Sequence, residues 1–147
     1  MKILVINGPN MNLLGTREPE IYGNTTLEEV NCELIDFSKK VGEDVELSFF
    51  QSNHEGEIVD KIQSAKDEYN GIIINPAGYT HTSVAIADAI KGINIPSVEV
   101  HLSNINSRED FRKNSFIAQN CVGQITGFKK DSYKLALIGL YNYLKEC

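Results

Sequence analysis

Two short apolar runs without polar alternation constrain the fold of this chain most. Residues Lys2–Asn7 and Gly71–Asn75 consist of isoleucine, leucine and valine between their end residues. Such runs are typical of strands that are covered on both faces. Apolar and β-branched stretches predict three further strands, at residues 44–51, 96–101 and 122–126. The pattern therefore predicts a sheet of five strands buried between two layers.

Helical patterns lie between these strands. Apolar side chains recur at helical spacing in residues 27–41, 58–69, 83–90 and 135–144. Thr25 and Thr26 stand three residues before Glu28 and Glu29, which is a capping-box signal, and Gly42 follows the same helix. The alternation predicts right-handed crossovers and an open, mostly parallel α/β sheet with helices on both faces. With 147 residues and no linker or repeat, we expect one domain.

The acidic composition argues against several classes of function. The chain has 20 acidic and 14 basic residues and a net charge of −6, which argues against nucleic acid as a partner. No apolar run approaches the roughly 20 residues of a membrane helix, so we expect no membrane partner. The apolar start of the chain is too short for a signal peptide. Three cysteines without a Cys-x-x-Cys spacing argue against a disulfide framework or a zinc site, and we expect a cytoplasmic protein.

Two of the predicted helices are too apolar to have only one covered face. Residues 84–90 and 135–141 carry hydrophobic groups nearly all round the helix. Helices of this kind are either buried deeply or lie at subunit contacts. In a chain this short we expect subunit contacts.

The long loop after the first strand is a candidate functional segment. Residues 8–24 are poor in helix and strand formers and place Arg17 five residues before Tyr22. A loop of this length in a compact domain is usually functional or disordered. Its leucine, isoleucine and tyrosine side chains are costly to leave in water, which argues against disorder. We therefore expect a lid.

Polar side chains collect where the predicted strands end. The carboxyl ends of parallel strands share one edge of the sheet, where open α/β sheets bind their ligands. All three histidines and all three arginines of the chain follow a strand end. The residues expected at this edge are Asn10, Arg17, Tyr22, His54, Asn75, His81, Glu99, His101, Ser103, Arg108 and Arg112. The clustering indicates an active site, and the arginines indicate a small anionic ligand.

Three of these residues are candidates for acid–base chemistry. Glu99 and His101 are two residues apart on a strand, so their side chains share a face. The carboxylate can then orient the imidazole and favour its protonated form, as a general acid requires. Tyr22 is the candidate base. A phenol is almost entirely protonated at neutral pH, but a neighbouring arginine such as Arg17 stabilises the phenolate.

Several segments recur in a fixed order over nearly the whole chain. They are Gly8–Gly23, Gln51–Gly56, Asn75–Pro76, Tyr79–Val84, Glu99–Asn104 and Arg108–Arg112. Together they resemble the motifs of the type II 3-dehydroquinate dehydratase family. The resemblance implies a flavodoxin-like sheet and a lyase of the shikimate pathway, which dehydrates 3-dehydroquinate to 3-dehydroshikimate by anti elimination through an enolate. It implies no metal, Schiff base or other cofactor, and a homododecamer built from trimers.

The resemblance also implies a role for each matching residue. Tyr22 removes the proton alpha to the ketone, and Arg17 assists on the same lid. Asn10 helps to hold a water that stabilises the enolate oxygen. His101, oriented by Glu99, protonates the departing C1 hydroxyl. The substrate's carboxylate and hydroxyls are bound by Asn75, His81, Arg112, the backbone of Leu102 and Ser103, and Asp88 from the neighbouring subunit.

The chain departs from the family pattern at two places near these residues. Ala77-Gly78 stands where glycine is expected first, which predicts a changed loop before His81. Ala87 precedes Asp88 where arginine is frequent, which removes one expected intersubunit salt bridge.

Two other functions remain open on the residues alone. His81, His101 and Glu99 could form a two-histidine, one-carboxylate metal site. A flavodoxin-like or receiver-like binding module is the second alternative. A receiver needs acidic residues after the first strand and an aspartate after the third, where this chain has Asn7-Gly8 and Asn75-Pro76. Pro9 also removes a backbone N–H that a phosphate cradle would use.

Overall fold

Five parallel strands form one sheet in the computed structural model of residues 1–147. The strands are β1 (Lys2–Asn7), β2 (Glu46–Gln51), β3 (Gly71–Asn75), β4 (Ser97–His101) and β5 (Gly123–Thr126). They lie side by side in the order β2-β1-β3-β4-β5, and every neighbouring pair is parallel. The predicted fold class is confirmed. Strand β2 begins two residues later than predicted because the Val45 N–H closes a turn onto the Gly42 carbonyl oxygen at 3.2 Å.

Five helices surround the sheet. They are α1 (Pro19–Tyr22), α2 (Leu27–Val41), α3 (Glu55–Ser64), α4 (Val84–Ile93) and α5 (Asp131–Glu146). Helix α3 ends before the predicted Tyr69, since Ala65–Asp67 tighten into a 3-10 turn. Helix α4 runs past the predicted Ile90 and stops at Asn94, whose left-handed backbone (φ 55°, ψ 36°) asparagine tolerates at a helix end.

The capping box predicted for α2 is present. The Glu29 N–H donates to Thr26 Oγ1 at 3.2 Å, and the Thr26 N–H donates to Glu29 Oε2 at 2.9 Å. Gly42 ends the helix with an extended backbone (φ −171°) rather than a left-handed one. A Cβ there would lie 2.6 Å from the Tyr141 hydroxyl oxygen, so a larger residue would displace that side chain.

Two hydrophobic clusters cover the two faces of the sheet. Ile3 and Val5 of β1 pack with α2 and α5, whereas Leu4 and Ile6 pack with α3 and α4. Successive side chains of a strand point to opposite faces of the sheet, and both faces are covered here. Apolar residues are therefore required at every central position, which explains why β1 and β3 show no polar alternation. The sheet is therefore buried on both sides, as its sequence predicted.

The two apolar helices remain partly uncovered in the single subunit. On α4 the Val84 side chain is 57% exposed, and on α5 Leu135 and Ile138 are each 39% exposed. None of the helices has the combination of length and apolar character that crossing a membrane requires. All three cysteines are unpaired thiols.

Candidate active site

A cleft of about 170 Å³ opens at the carboxyl edge of the sheet. The strand order reverses between β1 and β3, and open α/β sheets form their ligand crevice at such a point. The cleft is lined by Pro9, Asn10, Met11, Leu14, Arg17, Tyr22, Asn75, Ala77, Gly78, His81, His101, Leu102, Ser103, Ile105, Arg108 and Arg112. The cleft thus lies at the carboxyl edge of the sheet, where the sequence predicted the active site.

The start of the loop after β1 is held close to its neighbours. The Gly8 N–H donates to the Asn75 carbonyl at 2.8 Å, and a Cβ on Gly8 would lie 2.5 Å from the Pro76 carbonyl oxygen. The Gln51 side-chain amide, at the end of β2, donates to the Gly8 carbonyl at 3.2 Å. Asn10 follows with a left-handed backbone (φ 67°), a conformation in which asparagine is enriched. These contacts place Asn10 in the lining of the cleft.

The rest of the predicted lid contains more helix than its composition indicated. Met11–Leu13 form a 3-10 turn, and α1 begins at Pro19, the helical position that proline favours. Met11 and Leu14 are buried in the core. Only the second part of the segment, with Arg17 and Tyr22, lies over the cleft without a buried anchor.

The Tyr22 hydroxyl is bonded to Arg108, which the sequence placed at this edge without assigning it a role. Arg108 Nη1 donates to Tyr22 Oη at 2.9 Å and lies 3.4 Å from Ser103 Oγ. Arg17 instead lies with its Cζ 5.8 Å from the centre of the Tyr22 ring and pairs with Glu18 at 3.5 Å. In the sequence, the signal that could place Arg108 at the site was that every arginine follows a strand end. Its contact with a residue 86 positions away is a tertiary feature.

The Glu99–His101 pair forms as predicted. Glu99 Oε1 lies 2.6 Å from His101 Nε2, and the two residues are 0% and 5% exposed. Burial pushes the pKa of Glu99 upward. Hydrogen bonds from His101, Ser115 and Gln124 and the charge of His101 outweigh burial and hold that pKa below its ordinary value. Glu99 is therefore a carboxylate at neutral pH, and His101 Nδ1 is the ring nitrogen left for a ligand.

A buried hydrogen-bond chain orients Asn75. Asn75 Nδ2 donates to Tyr133 Oη at 3.0 Å, and the Tyr133 hydroxyl donates to Asn7 Oδ1. Burial raises the pKa of Tyr133, so this phenol stays a neutral donor. Asn75 Oδ1 accepts from the Ala77 N–H at 3.1 Å. Ala77 adopts a φ of 51°, in the region that favours glycine.

Two further cleft residues, His81 and Arg112, offer a hydrogen-bond acceptor and hydrogen-bond donors to a ligand. His81 Nδ1 lies 2.8 Å from the Asn114 carbonyl oxygen, so that nitrogen carries a proton and Nε2 is free. Desolvation is the main cause that lowers the pKa of His81, and the charges of His101 and Arg112 add to it. Neutral His81 therefore offers Nε2 as an acceptor. Arg112 lies against Glu109, with 2.6 Å between Nε and Oε2.

Three residues from the sequence prediction lie outside the cleft lining. Glu99 is buried behind His101. His54 is exposed at the start of α3 and does not line the cleft. Asp88 is exposed on α4, where it borders a separate depression with Val84 and Lys91. The structure brings the other predicted site residues together in one cleft.

The alternative metal site does not form. No group of three or more histidine, cysteine, aspartate or glutamate side chains is placed to hold a metal ion. Glu99 already accepts from Ser115, Gln124 and His101, and His81 Nδ1 faces a carbonyl. The geometry instead supports proton transfer, with a phenol beside a guanidinium and an imidazole beside a buried carboxylate.

The family model for class II dehydroquinases matches residues 1–141 of this chain. The chain belongs to that family. It is 55% identical over 146 residues to a 3-dehydroquinate dehydratase from Geotalea daltonii, with 99% of this chain and 100% of the relative covered. A 3-dehydroquinate dehydratase from Trichodesmium erythraeum is 58% identical over 143 residues, with 97% and 94% covered.

Solved structures of class II dehydroquinases share the fold. The type II dehydroquinase from Butyrivibrio crossotus superposes with a TM-score of 0.91 at 47% sequence identity, covering 95% of this chain and 97% of that one. The family named by the sequence motifs is confirmed.

Proposed function

We propose that this protein dehydrates 3-dehydroquinate to 3-dehydroshikimate, by anti elimination through an enolate, as an enzyme of the shikimate pathway. One observation carries the proposal: the cleft of a class II dehydroquinase chain holds a phenol bonded to an arginine and an imidazole bonded to a buried carboxylate. These two units supply the base and the acid that a stepwise elimination needs.

Tyr22 is the base in this proposal. Its hydroxyl accepts from Arg108, and the Arg17 guanidinium lies over its ring. Two neighbouring cations stabilise a phenolate, which can then remove the proton alpha to the substrate ketone. Within the predicted lid of residues 8–24, the part after Leu14 closes over the cleft and excludes water from the reacting atoms.

In this proposal Asn10 and His101 act on the enolate and on the leaving group. Asn10 holds a water against the developing enolate oxygen. His101 donates a proton to the departing C1 hydroxyl through Nδ1, since Nε2 faces Glu99. The Glu99 carboxylate stabilises the imidazolium and keeps the ring in place.

Substrate binding uses the remaining polar groups of the cleft. Arg112 has the planar donor pattern that suits the substrate carboxylate, together with the backbone of Leu102 and Ser103. His81 Nε2 accepts from a substrate hydroxyl, and Asn75, which lines the cleft, contributes to the binding of the substrate's polar groups. No lysine lines the cleft, so the proposed route needs no imine, and it uses no metal or other cofactor.

The assembled enzyme is proposed to be a dodecamer of trimers in the cytoplasm. The exposed apolar positions of α4 and α5 supply contact surface. Asp88 lies on the uncovered face of α4 and reaches the cleft of a neighbouring subunit in this arrangement. The three unpaired thiols suit a reducing compartment.

The deciding experiment adds 3-dehydroquinate to the purified protein and follows the absorbance of the conjugated product. Parallel samples contain a chelator, or borohydride together with substrate. Rising absorbance in all three supports a metal-free dehydratase without an imine intermediate. No absorbance change in a folded, assembled sample contradicts the proposal, and loss of activity in only one treated sample contradicts the corresponding part of the mechanism.

A further inference from the structure

Two neutral side chains complete the hydrogen bonding of the Glu99 carboxylate. Ser115 Oγ lies 2.7 Å from Oε2, and Gln124 Nε2 lies 2.8 Å from Oε1. We propose that Ser115 and Gln124 are positioning residues, which fix Glu99 in its charged form so that it can orient His101. This inference rests on the proposed role of His101 as the acid.

The direction of the Ser115 hydrogen bond is determined by its other partners. Ser115 Oγ accepts from the Ile117 N–H at 3.1 Å and from the Ala118 N–H at 3.0 Å. A hydroxyl has two acceptor lone pairs and one proton. With both lone pairs facing backbone donors, the proton points at Glu99, and Ser115 is a fixed donor to the carboxylate.

Gln124 reaches Glu99 from the edge of the sheet. Strand β5 pairs only with β4, and Gln124 stands opposite Glu99 in the register. Gln124 is exposed, and its side-chain amide makes no hydrogen bond in the protein other than the one to Glu99. An exposed edge-strand glutamine could turn to solvent without cost, so its inward contact points to a role at the carboxylate.

The charges around Glu99 make these donors important. Glu99 is 0% exposed, and an ionised buried carboxylate is costly unless it is paired and hydrogen-bonded. His101 is its only direct cationic partner, while His81 and Arg112 lie further along the cleft. Burial, and secondarily the charge of Glu99, raise the pKa of Cys121 to about 12, so the adjacent thiol is neutral.

Loss of one hydrogen-bond donor to Glu99 should shift the pH profile in a predictable direction. A carboxylate that accepts fewer hydrogen bonds is protonated at a higher pH. Since ionised Glu99 is needed to orient His101, the acidic limb of the kcat profile moves to higher pH when the donor is removed. KM changes little, because neither Ser115 nor Gln124 lines the cleft.

The test compares Gln124→Met with the wild type across the pH range. We expect kcat to fall about tenfold at neutral pH, as loss of one hydrogen bond to a charged group predicts, with the acidic limb displaced upward. Gln119→Met is the matched control, because Gln119 is exposed and donates only to the Phe116 carbonyl, at 3.2 Å. In a Glu99→Gln background, Gln124→Met should have no further effect. Ser115→Ala gives the same profile change where it folds, and Ser115→Thr restores the donor.

Two outcomes overturn the inference. The first is that the wild type is active and that Gln124→Met has the same kcat and the same acidic limb of the pH profile as the wild type. The second is a lower melting temperature with no change in the pH profile, which would assign Gln124 to stability alone. The imidazole ¹⁵N shifts of His101 provide a readout that needs no substrate, and their pH titration must differ between the wild type and Gln124→Met. An inactive wild type contradicts the proposed function, and the ¹⁵N titration still decides this inference.

Discussion

Each reacting side chain in the cleft is bonded to a group that favours the charge it must carry. Tyr22 becomes an anion in the proposed mechanism and is bonded to Arg108. His101 donates a proton in the proposed mechanism and is bonded to Glu99. Opposite charges within hydrogen-bond distance favour these ionised forms. The chemistry therefore depends on two short polar contacts, each of which can be tested at a single residue.

Tyr22→Phe removes the proposed base and keeps the ring. We expect kcat to fall by at least about 100-fold, with an unchanged melting temperature, because the Tyr22 hydroxyl contributes no buried contact other than the one to Arg108. Steady-state kinetics and a thermal melt provide the measurement. Tyr143→Phe is the control, since Tyr143 is 44% exposed on α5. Turnover close to that of the wild type would remove Tyr22 as the base.

Arg108→Ala removes the guanidinium that contacts the Tyr22 hydroxyl. The phenolate then loses its nearest cation, so we expect kcat to fall about 100-fold and activity to appear only at higher pH. Arg108→Lys keeps the charge, so its kcat should lie between that of the wild type and that of Arg108→Ala. The control is Lys113→Ala, since Lys113 pairs with Asp110 at the surface. An Arg108→Ala pH profile that superposes on that of the wild type would contradict a role at Tyr22.

At the scale of elements, the sheet brings residues from distant parts of the chain to one edge. Strands β1, β3 and β4 end beside one another, and the segment after each contributes to the cleft. Parallel pairing is the cause, because it places all carboxyl ends on the same side. Only four residues separate the end of α1 at Tyr22 from the start of α2 at Leu27, so the capping box of α2 also ends the lid segment.

Thr26→Ala tests how much that cap contributes. The Glu29 N–H loses its side-chain acceptor, whereas the backbone N–H of residue 26 still donates to Glu29. We expect the free energy of unfolding to fall by about 1 kcal/mol. Denaturant unfolding measures the change. Ser64→Ala is the control, because the Ser64 hydroxyl donates only to the Lys61 carbonyl near the end of α3. Equal stability of both variants would show that the cap does not stabilise α2.

At the scale of the whole molecule, the uncovered apolar faces of α4 and α5 matter most. Val84 and Asp88 are exposed next to each other on α4, outside the cleft of their own subunit. Lys91 is also exposed on this face, one turn from Asp88. A buried aspartate is costly unless it meets a partner in the contact. The proposed partner is the cleft region of a neighbouring subunit.

Asp88→Ala separates assembly from folding. We expect a raised KM or a smaller assembly, with little change in the melting temperature of the subunit, because Asp88 makes no salt bridge within its own chain. Light scattering and kinetics on the same samples measure both effects. Asp67→Ala, at an exposed site after α3, is the control. A fully active monomer would contradict a shared site.

Much of the fold could be predicted from local patterns. The buried runs of β1 and β3 and the cap of α2 appear where the sequence predicts them, because burial on both faces and capping leave direct signals in residue type. Element ends were less accurate. The end of α3 and the start of β2 depend on turns that close only when the neighbouring segments pack.

The sequence by itself determined the sheet, the cleft edge and the Glu99–His101 pair, since all three follow from periodicity and from spacing along one strand. Only the tertiary structure decided that Arg108, rather than Arg17, bonds to the Tyr22 hydroxyl, and that Ser115 and Gln124 serve Glu99. Those contacts join residues 86, 16 and 25 positions apart. Their partners are selected by how loops and strands pack at the edge of the sheet, and no local spacing encodes that packing.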